Sequence, residues 1–176
     1  MKDVTDKNFG VIIAFLLPGF IFLWGLSYSS RTVASWIAKS STSDTPTVGG
    51  FLYSTIASLA LGLLISAVRW LFIDSSLRWF TALPDLDFGK LKEKDNFYAF
   101  QGVVENHYRY YQYYSNTLIA VILSFGTYVS YGPERPSLTL WIGVPVIVIV
   151  LYFASRDALS KYHKRAAEIA DGGKPR

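Results

Sequence analysis

Residues 50–73 read GFLYSTIASLALGLLISAVRWLFI, twenty-four positions of which only Arg69 is charged. A helix of that length rises about 36 Å at about 1.5 Å per residue, enough to cross a hydrocarbon layer of about 30 Å. Arg69 stands near one end, where a long apolar stem is expected to carry its guanidinium back to the headgroups.

Outward from this stretch, three more runs have the same character. Residues 10–28 (GVIIAFLLPGFIFLWGLSY) hold no charge, nor do 115–131 (SNTLIAVILSFGTYVSY) or 138–154 (LTLWIGVPVIVIVLYFA), the last two being joined by the tight turn GPERPS. The β-branched run Val144–Val150 would suit a buried strand in water. A lone open strand cannot cross lipid with its backbone groups unpaired, so helix is expected. The chain therefore reads as all-α, a single polytopic membrane domain with four transmembrane helices. Composition agrees: hydrophobic residues make up 51%, aromatics 16% and charged residues 17% of the chain, and the apolar ones are bunched in long runs instead of short periodic stripes.

The absence of cysteine excludes disulfides, thiolate metal sites, cysteine nucleophiles and lipidation at cysteine. The formal charge of +4 could suit nucleic acid, but its distribution argues for topology. Thirteen of the seventeen Lys and Arg residues fall in the N-terminal segment, the 74–114 segment and the tail 155–176. Three (Arg31, Lys39, Arg135) fall in the other two connections, and the last, Arg69, lies at the same end as the thirteen. Cytoplasmic loops carry such an excess. Both termini and the central segment are thus expected in the cytoplasm, and nucleic acid is not expected as a partner. Aromatic belts give the same threading: Trp24, Tyr28, Tyr53, Tyr128, Tyr131 and Trp141 fall towards the outer face, and Trp70, Trp79, Tyr110, Tyr111, Tyr113, Tyr114 and Tyr152 towards the inner. Asp3 and Asp6 cancel Lys2 and Lys7, and no small-x-small site follows residue 28 directly, so the first run is expected to be a span and not a cleaved signal.

Before the third run stands ENHYRYYQYY (105–114). On a helical wheel over 95–116, Gln101, Glu105, Arg109, Gln112 and Asn116 fall within about 40° of one line, and Phe100, Val103, His107, Tyr110, Tyr114 and Leu118 take the other side. This predicts an amphipathic helix capped by Asp95 and continuous with the third span, so that a long third helix extends into the cytoplasm. Its polar stripe should carry a Glu105–Arg109 pair. Its aromatic face (Phe100, His107, Tyr110, Tyr114) should lie in the interface or meet a partner.

Within the second run, Ser54, Ser58, Gly62 and Ser66 recur every four residues. Small residues at this period let two helix backbones approach closely in lipid. The contact could lie within one chain, between subunits, or along a pore. In the first run, Pro18 and Gly19 predict a kink that leaves the carbonyl of Ala14 in need of a partner. Asp74 is expected to pair with Arg78. The segment 77–95 reads as surface-lying, and the connection 29–49 as a linker with a short helix around Trp36. Neither the 74–114 segment nor the tail looks large enough for a core of its own.

The opening NFGVIIAFLLPGFIFLWGL resembles the start of several bacterial small membrane proteins that place an L-P-G-F motif in their first span, over about a tenth of the chain. The resemblance implies a multi-pass protein of a bacterial inner membrane and no activity.

His107 and His163 form no metal-ligand pair, and no nucleophile elbow, phosphate loop or paired intramembrane carboxylates occur. No cofactor or metal is expected. The functional expectation is a non-enzymatic membrane subunit whose partners are the lipid bilayer and either a second copy or another protein. The contrasting expectation is a small homo-oligomeric pore or membrane-perturbing effector with Ser54, Ser58 and Ser66 facing the lumen.

Overall fold

The computed structural model describes residues 10, 12–41, 48–80, 86, 88–91 and 94–171. Among them there is no strand. The helices are α1 Leu17–Ser27, α2 Arg31–Ser41, α3 Val48–Arg69, α4 Ser75–Phe80, α5 Phe88–Leu91, α6 Lys94–Val103, α7 Arg109–Tyr131 and α8 Leu138–Ala170. Three π-helical turns interrupt or extend them: π1 Ile12–Leu16 leads into α1, π2 Trp70–Asp74 follows α3, and π3 Val104–Tyr108 joins α6 to α7. Two helices, Val48–Leu77 and Leu138–Ala170, are long and apolar enough to cross a membrane, and Ile12–Ser27 is a shorter apolar helix. Residues Val144–Val150 are helical, with Pro145 inside α8.

Cross-contacts fix the directions of the helices. Ala14 and Ile21 meet Asn116 and Ser124 in that order, so α1 runs parallel to α7. Phe15 meets Gly62 while Gly19 meets Ser58, so α3 runs antiparallel to α1. Phe125 packs on Trp141 and Tyr108 on Tyr162, so α8 runs antiparallel to the rod formed by α6, π3 and α7.

The helices α1, α3, α7 and α8 do not contribute equally. α1, α3 and α7 pack as a mutually contacting trio, whereas α8 leans on α7 and, nearer its C-terminus, on π3, α6 and α5. Glycine keys the trio together. A Cβ on Gly19 would collide with the Ser58 carbonyl, one on Gly62 with the Phe15 carbonyl, and one on Gly25 would stand 2.6 Å from the Ser124 Cα. Backbones in such contact gain Cα–H···O attraction and dispersion.

The core has two layers. Ile65, Leu118, Ile119 and Ala120 form one. Leu77, Tyr111, Ala158, Leu159 and Tyr162 form the other, with Phe100, Val103, Val104 and Tyr108 packed on it. Ile73 and Tyr152 touch both layers and mark their boundary. The second layer is shared between the 74–114 segment and the tail. Separately they are too small, but α8 continues as one helix through Ala170 and lends its stripe Ala158, Leu159, Tyr162 and Ala166 to the tyrosine-rich rod.

Trp36 lies in α2 and stacks on Tyr53 at 5.8 Å. Ser137 caps α8 by accepting from the Leu140 N–H at 3.3 Å. Asp95 lies inside α6, which is already helical at Lys94, so it is not the N-cap. Of the segment 77–95, positions 81–85, 87, 92 and 93 lie outside the described residues, as do the side chains of Arg78 and Trp79.

Candidate functional site at the tyrosine-rich end of the bundle

Of the three π turns, π1 and π2 each coincide with a buried polar contact. π2 separates Arg69 from Asp74. Under α winding, residues five apart point about 140° away from each other, whereas i→i+5 winding returns them to one side. Here the Arg69 Nη1 stands 3.7 Å from the Asp74 Oδ1. Tyr111 of α7 donates its hydroxyl to the same carboxylate oxygen and lays its ring under the guanidinium, 5.1 Å from its centroid. Arg69 is 5% and Tyr111 1% exposed.

Burial, then the Asp74 carboxylate, push the Tyr111 phenol above its ordinary range, so it stays protonated and remains a donor. One sequence expectation is corrected at this point. Arg69 does not carry its charge out of the bundle, because Asp74 and the Tyr111 ring hold it inside. Asp74 is engaged by Arg69 and Tyr111, and the Arg78 side chain lies outside the described residues. Arg69 Nε and Nη1 have no hydrogen-bond acceptor, so charge attraction and the ring must offset their desolvation.

π1 precedes Pro18. The Ala14 carbonyl, deprived of an N–H by the proline ring, accepts instead from the Asn116 Nδ2 at 2.8 Å. Ala14 and Asn116 are both fully buried. The carbonyl need was readable from Pro18, but the donor comes from a helix about a hundred residues away and was not. Asn116 Oδ1 and Thr117 Oγ1 remain without a partner. Pro18 and Gly19 are themselves buried, Gly19 against α3.

π3 rotates the rod. An inserted residue advances the helix by about 100° and invalidates any single wheel drawn across it. Gln101 accordingly donates to Glu105 (3.4 Å), and Arg109 donates to Gln112 (3.4 Å), so the expected Glu105–Arg109 pair is not formed. The predicted polar stripe divides: Gln101, Glu105 and Arg109 are half-buried, while Gln112 is 8% exposed and Asn116 fully buried. The aromatic face divides too. Phe100 and Tyr114 pack on the second core layer, His107 is half-buried, and Tyr110 is 49% exposed.

Sequence reasoning placed Tyr110 and Tyr114 on the working face and overlooked Tyr111, Tyr108 and Tyr162. One signal was available for the polar centre: two opposite charges, Arg69 and Asp74, bracket the apolar tetrad WLFI. Neither was free to face lipid.

Ser54, Ser58 and Gly62 are buried within the chain, Ser58 against Gly19 of α1 and Gly62 against Phe15 of π1, and Ser66 is half-buried. The Ser54 and Ser58 hydroxyls have no hydrogen-bond partner. A lumen lined by them would need α1 to leave its place. Among the described residues no three His, Asp or Glu side chains gather as metal ligands. Chemically, the arrangement binds helices to one another: π2 to α7 through a carboxylate, and π1 to α7 through an amide.

Compared with protein-family models, curated proteins and solved structures, the chain matches none.

Proposed function

We propose that the chain is a four-span membrane subunit with both ends in the cytoplasm, non-enzymatic, whose tyrosine-rich rod and continuing α8 form a stalk that serves a protein partner. The observation that carries this reading is the inside-out placement of side chains. Ser54, Ser58, Arg69, Gln112, Ser115, Asn116, Thr117 and Ser155 are buried, while Phe51, Ile56, Leu64, Phe72, Ile142, Val150 and Phe153 are more than half exposed. Only 22% of the apolar window of Val48–Leu77 and 6% of that of Leu138–Ala170 is buried. The core helix of a water-soluble domain would be mostly covered.

Further support comes from the two ends. Tyr28 meets Tyr128, and Phe125 meets Trp141, at the end assigned outside. Among the described residues, Arg109, Arg156, Lys161, Lys164 and Arg165 lie towards the other. A bacterial inner membrane is the location implied by the first-span resemblance. Because α1 covers the stripe of α3, the partner surface moves from that stripe to the stalk.

The test is threading and solubility together. A reporter fused after Arg176 should be active only on the cytoplasmic side, and the chain should need detergent to leave membranes. A periplasmic C-terminus, or a soluble chain without detergent, overturns the reading.

A further inference from the structure

The turn π2 winds one extra residue into the helix that joins α3 to α4, and the sequence there offers two registers. Gly62, Ile65 and Arg69 are buried and define the inward face of α3. With Gly62 at zero and about 100° per residue, that face spans about 300° to 0°. Uninterrupted α winding would bring Ile73 and Ser76 onto or beside it, at about 20° and about 320°, and would leave Asp74 and Leu77 at about 120° and about 60°. The insertion takes one step away and turns the other pair inward. Leu77 is fully buried, and Asp74 meets Arg69 and Tyr111.

Each register therefore turns one apolar and one polar side chain inward, Leu77 with Asp74 or Ile73 with Ser76, so burial alone separates them little. The guanidinium separates them. In the α register Asp74 would point away, and Arg69, 5% exposed, would lose its carboxylate. Leu77 also belongs to the layer of Tyr111, Ala158, Leu159 and Tyr162 that holds the stalk, and a change of register would put Ser76 in its place. We propose that residues 70–77 are a two-register switch: the Arg69–Asp74–Tyr111 contact latches π2, and its release turns α4 by about 100° and loosens the stalk from the trio. The switch rests on helix phase and would work alike in lipid or in water.

The chain lacks cysteine, so Leu77→Cys, Ser76→Cys and Ala120→Cys each give one thiol on the full-length protein for a small membrane-permeant reagent. With the latch intact, the thiol at 77 should react at least tenfold more slowly than the one at 76. Arg69→Met with Asp74→Ala removes the latch without stranding a charge, and the order should reverse. Deleting Phe72, which is 67% exposed, from that double variant takes out the spare residue and should restore slow reaction at 77. An order unchanged by the double variant overturns the proposal, and so does a reversal that survives the deletion. Ala120, fully buried on α7, reports unfolding. Should its thiol open in the double variant, single deletions from the native chain decide: loss of Phe72 should keep the thiol at 77 slow, whereas loss of Leu64, 63% exposed within α3, should open it. Equal opening by both deletions would mean that π2 holds no spare residue, and the switch would fall.

Discussion

Asn116 is the residue in which a local defect and a distant remedy meet. Pro18 cannot donate to the Ala14 carbonyl, and the Asn116 amide does so from α7. Asn116→Ala should therefore destabilise the chain by about 1–3 kcal/mol, the usual cost of an orphaned buried acceptor. Pro18→Ala restores an N–H one turn after Ala14, so in that background the same change should cost less. A double-mutant cycle on thermal unfolding in detergent measures this, and strict additivity would refute the link. Arg69 and Asp74 obey the corresponding rule for charge. Asp74→Ala alone strands a buried guanidinium and should cost about 3–5 kcal/mol, whereas Arg69→Met with Asp74→Leu should recover much of it. If the double variant melts no higher than Asp74→Ala, the guanidinium is not the liability argued here.

At the scale of elements, π turns decide which face of a helix looks inward. The wheel over 95–116 treats the rod as one α-helix and therefore pairs Glu105 with Arg109 and turns Tyr110 to the working side. The extra residue in π3 shifts that phase, and Tyr111 becomes the buried ring while its neighbour Tyr110 is half exposed. Tyr111→Ala should cost about 3–5 kcal/mol, and Tyr110→Ala should stay within about 1 kcal/mol; equal effects in a thermal melt would contradict the assigned phase. The small-residue stripe of α3 yields a second comparison. Gly62→Leu must push the Phe15 carbonyl away and should abolish the folded trio, while Ser66→Leu, at a half-buried position, should leave a cooperative transition. Cysteine cross-linking between α1 and α3 reads the difference directly.

For the molecule as a whole, unequal packing implies unequal stability. The trio of α1, α3 and α7 is locked backbone to backbone, whereas the stalk is held by side chains, chiefly Tyr162 against Phe100 and Tyr108. Tyr162→Asp should raise amide exchange in α6 and in the C-terminal half of α8 and leave α1 and α3 protected. Exchange rising uniformly would mean that the two layers unfold as one unit.

By itself the sequence determined the helical class, the places of the long apolar runs, the carbonyl that Pro18 would orphan and the stripe of α3 fit for close packing. Each follows from bonds and spacings within a single helix, and so is legible in one dimension. Tertiary structure decided what fills those openings: that α1 covers the stripe, that Asn116 supplies the amide, that Asp74 turns to Arg69 and Tyr111, and that the tail joins the rod in a shared aromatic core. Partners of that kind lie tens of residues apart or more, or depend on one inserted residue in a helical turn, and local periodicity holds no term for either.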